Sequence, residues 1–434
     1  MIERLLKYLD RSTCSFLAVD TIKKELDKEG FIELTYSNFP KLEKKGKYYY
    51  KKNDSAIFAF VIPQDIKKNT GYRIIAAHSD SPCFKLKPNP EIIGDGGVVS
   101  LNVEKYGGGI LYTWFDRPLS LSGRVLIKGK DIYNPETLLF DLKKPVATIP
   151  HLAIHFNRAV NEGNPLSVQK DMKPVIGYFT YREIENAMKN GGFIKEMIAE
   201  NLGIKAEEIL DSEIILYPLE NARLIGCKKE YIQSGRIDDL SMVFAGLEAL
   251  LNTREENCEA VRVLAIFDNE ETGSATKQGA ASPILKNLLH KVNSNLGKDE
   301  SDFLENIEKS FMISADDAHA WHPNYNEKYD PTNHPVIGGG PVIKINANGK
   351  YMTDAVGSAI FQNLCIEANV NYQFFVNHGD VTGGSTLGNI ATSQMDIKGV
   401  DVGAAIWGMH SANETAGVSD HLDFIKVFSK FWTD

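Results

Sequence analysis

The chain of 434 residues sets 48 Lys and Arg against 57 Asp and Glu, a formal net charge of -9, with 43% hydrophobic and 24% charged residues. That balance supplies no basic face for nucleic acid, and no low-complexity tract interrupts an ordinary globular composition. The length exceeds what one hydrophobic core usually serves, so two domains are expected. Five cysteines (Cys14, Cys83, Cys227, Cys258, Cys365) lie far apart without a C-x-x-C pair. They form neither a disulfide framework nor a thiolate zinc site, which fits a reducing compartment.

The chain opens on a helical segment, MIERLLKYLDRSTCSFLAVDTIKKEL, broken by charges every few positions and so unlike a signal peptide. A cytoplasmic protein without a membrane anchor is expected. The runs AIFAFVIP and YRIIAAHSD have the length of buried strands. From residue 89 the texture turns to Gly-punctuated alternation in IIGDGGVVSLNVEKYGGGILYTW and LSGRVLIKG, followed by a helical region, YREIENAMKNGGFIKEMIAENLG. Near residue 230 α/β texture resumes: DDLSMVFAGLEALLNT predicts an amphipathic helix, VRVLAIFD and SFMISADD predict buried strands, and GDVTGGSTLGN a Gly-rich turn. The parse is one α/β domain, residues 1–88 and 228–434, interrupted by a β-rich domain, residues 89–227.

Several of these apolar runs end in residues that bind metals. His78 and Asp80 lie two apart at the end of one strand and face the same side, so the carboxylate can orient the imidazole; alone, the pair also reads as a surface loop. Glu270 and Glu271 follow another strand and point different ways, so one can bind metal while the other acts as general base. An isolated acidic pair is more often a solvated loop. Asp238, before a helix, and Asp316, after a strand, read equally as helix N-caps, as does Asp239. His410 follows a further apolar segment, where a lone histidine is usually structural. Taken together, five segments deliver two histidines and three carboxylates, the composition of a dinuclear site with one shared aspartate.

HSD, GRIDDL, FDNEETGSATKQGA, SADDAHAWHPNY, GGPVIKIN and MHSANE occur in the order and rough spacing of the aspartyl aminopeptidase family of dinuclear zinc metallopeptidases, in its bacterial form. The resemblance runs from about residue 70 to the C-terminus and includes IPHLAIHFNR. It implies a zinc-peptidase-like catalytic domain with a mixed sheet and flanking helices, interrupted by a β-rich dimerisation domain, in a homo-oligomer that is a dodecamer built from dimers. It implies two divalent ions per subunit, zinc with manganese or cobalt as alternatives. His78 and Asp316 would complete one ion, Glu271 and His410 the other, with Asp238 bridging. Glu270 would be the base and Asp80 would orient His78. His155 would reach a neighbouring subunit's site, while Lys344 and Tyr351 would contact substrate. A cis Asp238–Asp239 peptide is also implied. Two positions depart from the family pattern: Asn413, where arginine is common, and Thr272, where valine is.

The implied reaction removes N-terminal residues, acidic ones by preference, from peptides. A hydroxide bridging the zincs attacks the carbonyl and Glu270 takes and returns its proton. A dinuclear carboxypeptidase or N-acyl amino acid deacylase would need an arginine for a free α-carboxylate, where a lysine stands. A shell protein without turnover would not need Glu270.

Overall fold

The computed structural model describes residues 1–66, 70–253 and 259–433; Cys258 lies outside them. Contacts group the chain into two units: Met1–Asp80, Ala222–Met409 and Glu414–Asp434 form the first, and Ser81–Asn221 with His410–Asn413 the second.

The first unit is built on a nine-stranded mixed sheet. Its centre is four adjacent parallel strands, Val261–Phe267, Tyr72–His78, Phe311–Ala315 and Lys398–Gly403. Ala56–Val61 and Lys47–Lys52 extend it antiparallel on one side, then Ile32–Leu34 in parallel. Val342–Lys344 joins antiparallel on the other side, with Gln373–Phe375 beyond it. Every residue of Val261–Phe267 and Phe311–Ala315 is buried. That is why these runs read as continuous apolar stretches, since a parallel sheet covered on both faces has no wet side. Separate hydrophobic clusters fill the two faces.

On one face lies the helix Ile237–Asn252, between the sheet and the helices Ile2–Arg11 and Val418–Phe431. It corrects the expectation of an amphipathic helix: every residue from Ile237 to Leu250 is buried. A helix enclosed on all sides has no polar stripe to show. Its one glycine there, Gly246, permits close approach, because a Cβ would stand 2.7 Å from the Leu264 side chain. Buried Glu248 is matched by Arg4, whose guanidinium makes contacts of 2.7 and 3.0 Å. A five-stranded sheet of Arg223–Ile225, Tyr231–Ser234, Glu414–Gly417, Ala405–Trp407 and Ala318–His319 completes this unit.

The second unit is a six-stranded antiparallel sheet, in spatial order Asn134–Asp141, Leu119–Asp131, Ile209–Pro218, Cys83–Ile93, Val98–Tyr106 and Val175–Tyr178. Its own core includes Phe84, Leu121, Trp114, Ile198 and Leu216. The helical region expected over 181–203 consists of two helices, Tyr181–Lys189 and Phe193–Leu202. Gly191 and Gly192 separate them at φ +97° and +102°, a backbone that side chains disfavour.

Candidate active site

Four parallel strands end at the same edge, which is where open α/β sheets place their ligand sites. The register sets His78 level with Phe267, and Ala315 level with Val402. The chain leaving Phe267 therefore presents Glu270 and Glu271 beside His78, and the chain leaving Ala315 presents Asp316. Asp238 arrives from the helix packed beneath, at the start of Ile237–Asn252, and its peptide bond to Asp239 is cis.

These residues meet. His78, Asp238, Asp239 and Asp316 each offer a ligand atom, all within 4.8 Å of one another, and His78, Glu270 and Glu271 form a second such group. His78 Nε2 stands 3.4 Å from Asp238 Oδ1. On the other ring edge, Nδ1 is 3.0 Å from the Asp80 carbonyl and 3.4 Å from its carboxylate. Asp80 has a second task, because its two oxygens accept the NH groups of Glu270 and Glu271 at 3.1 and 3.2 Å. One carboxylate thus fixes both the imidazole and the glutamate turn.

The electrostatics fit a cation. Burial opposes a charged His78, but Asp239, Asp238 and Asp80 outweigh it and raise its pKa. Burial and the negative charge of Asp316 push Glu270 up to about 8. Burial, then Asp238, raises Glu271, and burial raises Asp316 against the pull of Lys344. Buried like charges at this spacing repel by several kcal/mol even at an effective dielectric of ~20, so a bound metal cation would allow them to ionise together. Asp239 Oδ1 is buried and has no hydrogen-bond partner among the described residues. Imidazole nitrogen with carboxylate oxygens is a donor set for Zn²⁺ and its neighbours. The residues therefore fit a metal.

Lys344, buried, places Nζ 3.3 Å from Asp316 Oδ1 and 5.7 Å from the ring centre of Tyr351. Burial opposes its charge, but Asp316 dominates and holds its pKa above the ordinary value. His155 is exposed in the second unit. His410 lies in the short segment that groups with that unit. Its carbonyl accepts the Ile110 NH at 2.9 Å and its φ is +68°, a backbone uncommon for a residue with a side chain. Of the departures, Asn413 reaches Glu220 at 3.4 Å and the Thr272 hydroxyl donates to the Asn269 carbonyl at 3.3 Å.

Comparison with known proteins narrows the chemistry. Residues 8–432 match the family model of the aminopeptidase I zinc metalloproteases, M18. The chain belongs to the M18 aminopeptidase family. A probable M18 family aminopeptidase 2 of Clostridium novyi is 46% identical over 428 residues, 99% of this chain and 97% of that one. One from Pseudomonas aeruginosa is 38% identical over 429 residues, again 99% and 97%. Among solved structures, one in the Ape4 and Nbr1 complex is 34% identical with a TM-score of 0.95, covering 99% of this chain and 85% of that one. The yeast mApe1 dodecamer is 25% identical with a TM-score of 0.85, covering 99% and 95%. This M18 aminopeptidase is a hydrolase of peptide bonds, of the zinc metalloprotease type.

Three acidic residues bonded around this cluster were not singled out from sequence as part of it. Asp239, read only as a helix cap, accepts the His78 NH at 3.0 Å. Asp317 accepts from the Ser241 hydroxyl at 2.9 Å and the Ala404 NH at 3.3 Å. Glu414 accepts the Asp238 NH at 3.1 Å. The doubled acids of GRIDDL and SADDA, and the glutamate of MHSANE, were the available signal.

Proposed function

We propose that this enzyme removes N-terminal residues, acidic ones by preference, using two divalent ions per subunit. The observation that carries this reading is the convergence of His78, Asp238, Asp316, Glu270 and Glu271 at one edge of the sheet. His78 and Asp316 would hold one ion, Glu271 and His410 the other, and Asp238 both. The left-handed backbone of His410 supports a functional role, since such strain marks sites whose surroundings hold it. Zinc is the expected metal, with manganese or cobalt able to occupy the same donors. When bound, the ions supply Lewis acidity and lower the pKa of water.

The chain's own residues do the rest. Glu270, held by its NH on Asp80 and not assigned as a ligand, accepts the proton of the attacking water and delivers it to the leaving amine. Asp80 and the carbonyl behind it keep His78 Nε2 turned towards Asp238. Lys344 donates to Asp316 and, having three donors, keeps capacity for the carboxylate of an acidic substrate side chain, with its Nζ over the Tyr351 ring at 5.7 Å.

The second unit would be the dimerisation domain of a dodecamer, with His155 completing a neighbour's site. Two observations support this. Every large hydrophobic residue more than 80% exposed among the described residues (Ile132, Tyr133, Phe156, Tyr178, Tyr181) lies in this unit, and exposed apolar surface marks interfaces. The related mApe1 is a dodecamer. The cytoplasm is the proposed location; no helix among the described residues is long and apolar enough to cross a membrane. The test is a rate comparison of N-terminal Asp, Glu and Leu substrates on enzyme loaded with each metal. Faster cleavage of Leu would refute the acidic preference.

A further inference from the structure

His410 carries its imidazole on a backbone with φ +68°, two residues after Gly408 at +66°. A residue with a side chain keeps that conformation only where contacts from elsewhere fix it. The local bond of this turn, from the Asn413 NH to Ser411 Oγ at 3.0 Å, leaves the histidine's own peptide out.

The fixing contacts come from residues 108–117, which belong to the same unit as 410–413. The Ile110 NH donates to the His410 carbonyl at 2.9 Å. The Ala412 NH donates to Thr113 Oγ1 at 2.8 Å, and that hydroxyl donates in turn to the Ile110 carbonyl at 2.7 Å. The three bonds close a ring that grips the turn at His410 and at Ala412, on either side of Ser411. Gly108 runs beside the imidazole, where a Cβ would stand 3.4 Å from Nδ1. The buried Ala412 joins the core of this unit with Trp114 and Phe115. Behind the ring, Arg117 donates to the Thr113 carbonyl at 2.6 Å and to Glu220 at 2.6 Å, and Glu220 receives Asn413 Nδ2 at 3.4 Å.

The hydroxyl of Thr113 is the one side-chain group in the ring, and it both donates and accepts. We infer that Thr113 is a positioning residue for the metal centre: its hydroxyl fixes the turn that presents His410 as a ligand. The inference rests on the proposed role of His410 and concerns the ion that His410 would share with Glu271. His78, proposed for the other ion, is oriented separately by Asp80. Loss of a group that orients a metal ligand lowers metal affinity about 10- to 100-fold, so the two ions should respond unequally.

The test titrates zinc into metal-free, full-length protein against a chromogenic chelator, with the denaturant midpoint of each metal-free variant measured beside it. Thr113→Val keeps the side chain's shape and removes both bonds of the hydroxyl. It should weaken one zinc equivalent about 10- to 100-fold and leave the other as it was. Thr113→Ala should give the same result, and Thr113→Ser, which restores the hydroxyl, should recover the affinity. His410→Ala should lose the same equivalent. Three results would overturn the inference while His410→Ala still loses that equivalent: unchanged zinc affinity in Thr113→Val and Thr113→Ala, even with a lower midpoint; equal weakening of both equivalents; or Thr113→Ser as weak as Thr113→Val. Two equivalents of full affinity in His410→Ala would instead remove His410 as a ligand, and the inference with it.

Discussion

Glu270 stands on a turn whose two NH groups are already held by Asp80, so Glu270→Gln keeps the turn and removes only the base. Metal content should stay near normal while kcat falls roughly 10²-fold or more; elemental analysis beside steady-state kinetics checks both. Lys344 touches Asp316, so Lys344→Met removes a neighbour of a proposed ligand as well as a substrate contact. The informative quantity is the ratio of kcat/KM for Asp and Leu substrates on fully loaded variant, which should fall roughly ten- to a hundred-fold for one lost charge-assisted hydrogen bond. An unchanged ratio assigns Lys344 to Asp316 alone. His421 gives a pH prediction away from the metal site. Both its ring nitrogens are buried without partners among the described residues, beside Phe244, and burial, then the N-terminal charge, lowers its pKa to about 3. A folded pKa below the unfolded value of about 6.5 means stability is complete above pH ~6.5 and drains as pH falls towards 3. Relative to His421→Phe, the wild type should lose about 2 kcal/mol between pH 7 and pH 5. Parallel pH profiles in chemical denaturation would contradict this.

At the scale of elements, the strands of the site and the central helix were legible, but the burial of that helix on all sides was not. His78, Glu270, Glu271 and Asp316 could be read because each follows a continuous apolar run of strand length, and parallel strands share an edge. Ile237–Asn252 misled because DDLSMVFAGLEALLNT keeps polar residues that the fold buries by pairing: Glu248 meets Arg4 across 244 positions of sequence, and Asp239 meets the His78 backbone. No local pattern announces such partners. The same burial makes the helix Val418–Phe431 decisive for the site's support. Trp432, at its end and fully buried, donates its indole NH to the Arg73 carbonyl at 2.9 Å, at the start of the strand that ends in His78. Trp432→Ala should cost about 3 to 5 kcal/mol, read as a lower denaturant midpoint. A shift under 1 kcal/mol would show that this pin is dispensable.

At the scale of the molecule, the texture of the sequence changes near residue 89, whereas contacts set the second unit's start at Ser81. The offset arises in Cys83–Ile93, a single strand that runs across the expected boundary. Residues 410–413 join that unit through tertiary contacts alone, such as the Ala412 NH on Thr113 Oγ1 at 2.8 Å. His155→Ala should lower kcat/KM roughly tenfold or more without loss of metal if subunits complete each other's sites; a monomer of full activity would refute that. The central claim is the metal. Exhaustive chelation followed by graded return of zinc, with bound metal and peptide hydrolysis measured on the same samples, should abolish activity and restore it as occupancy approaches two ions per chain. Full activity in protein shown by elemental analysis to be metal-free would contradict it.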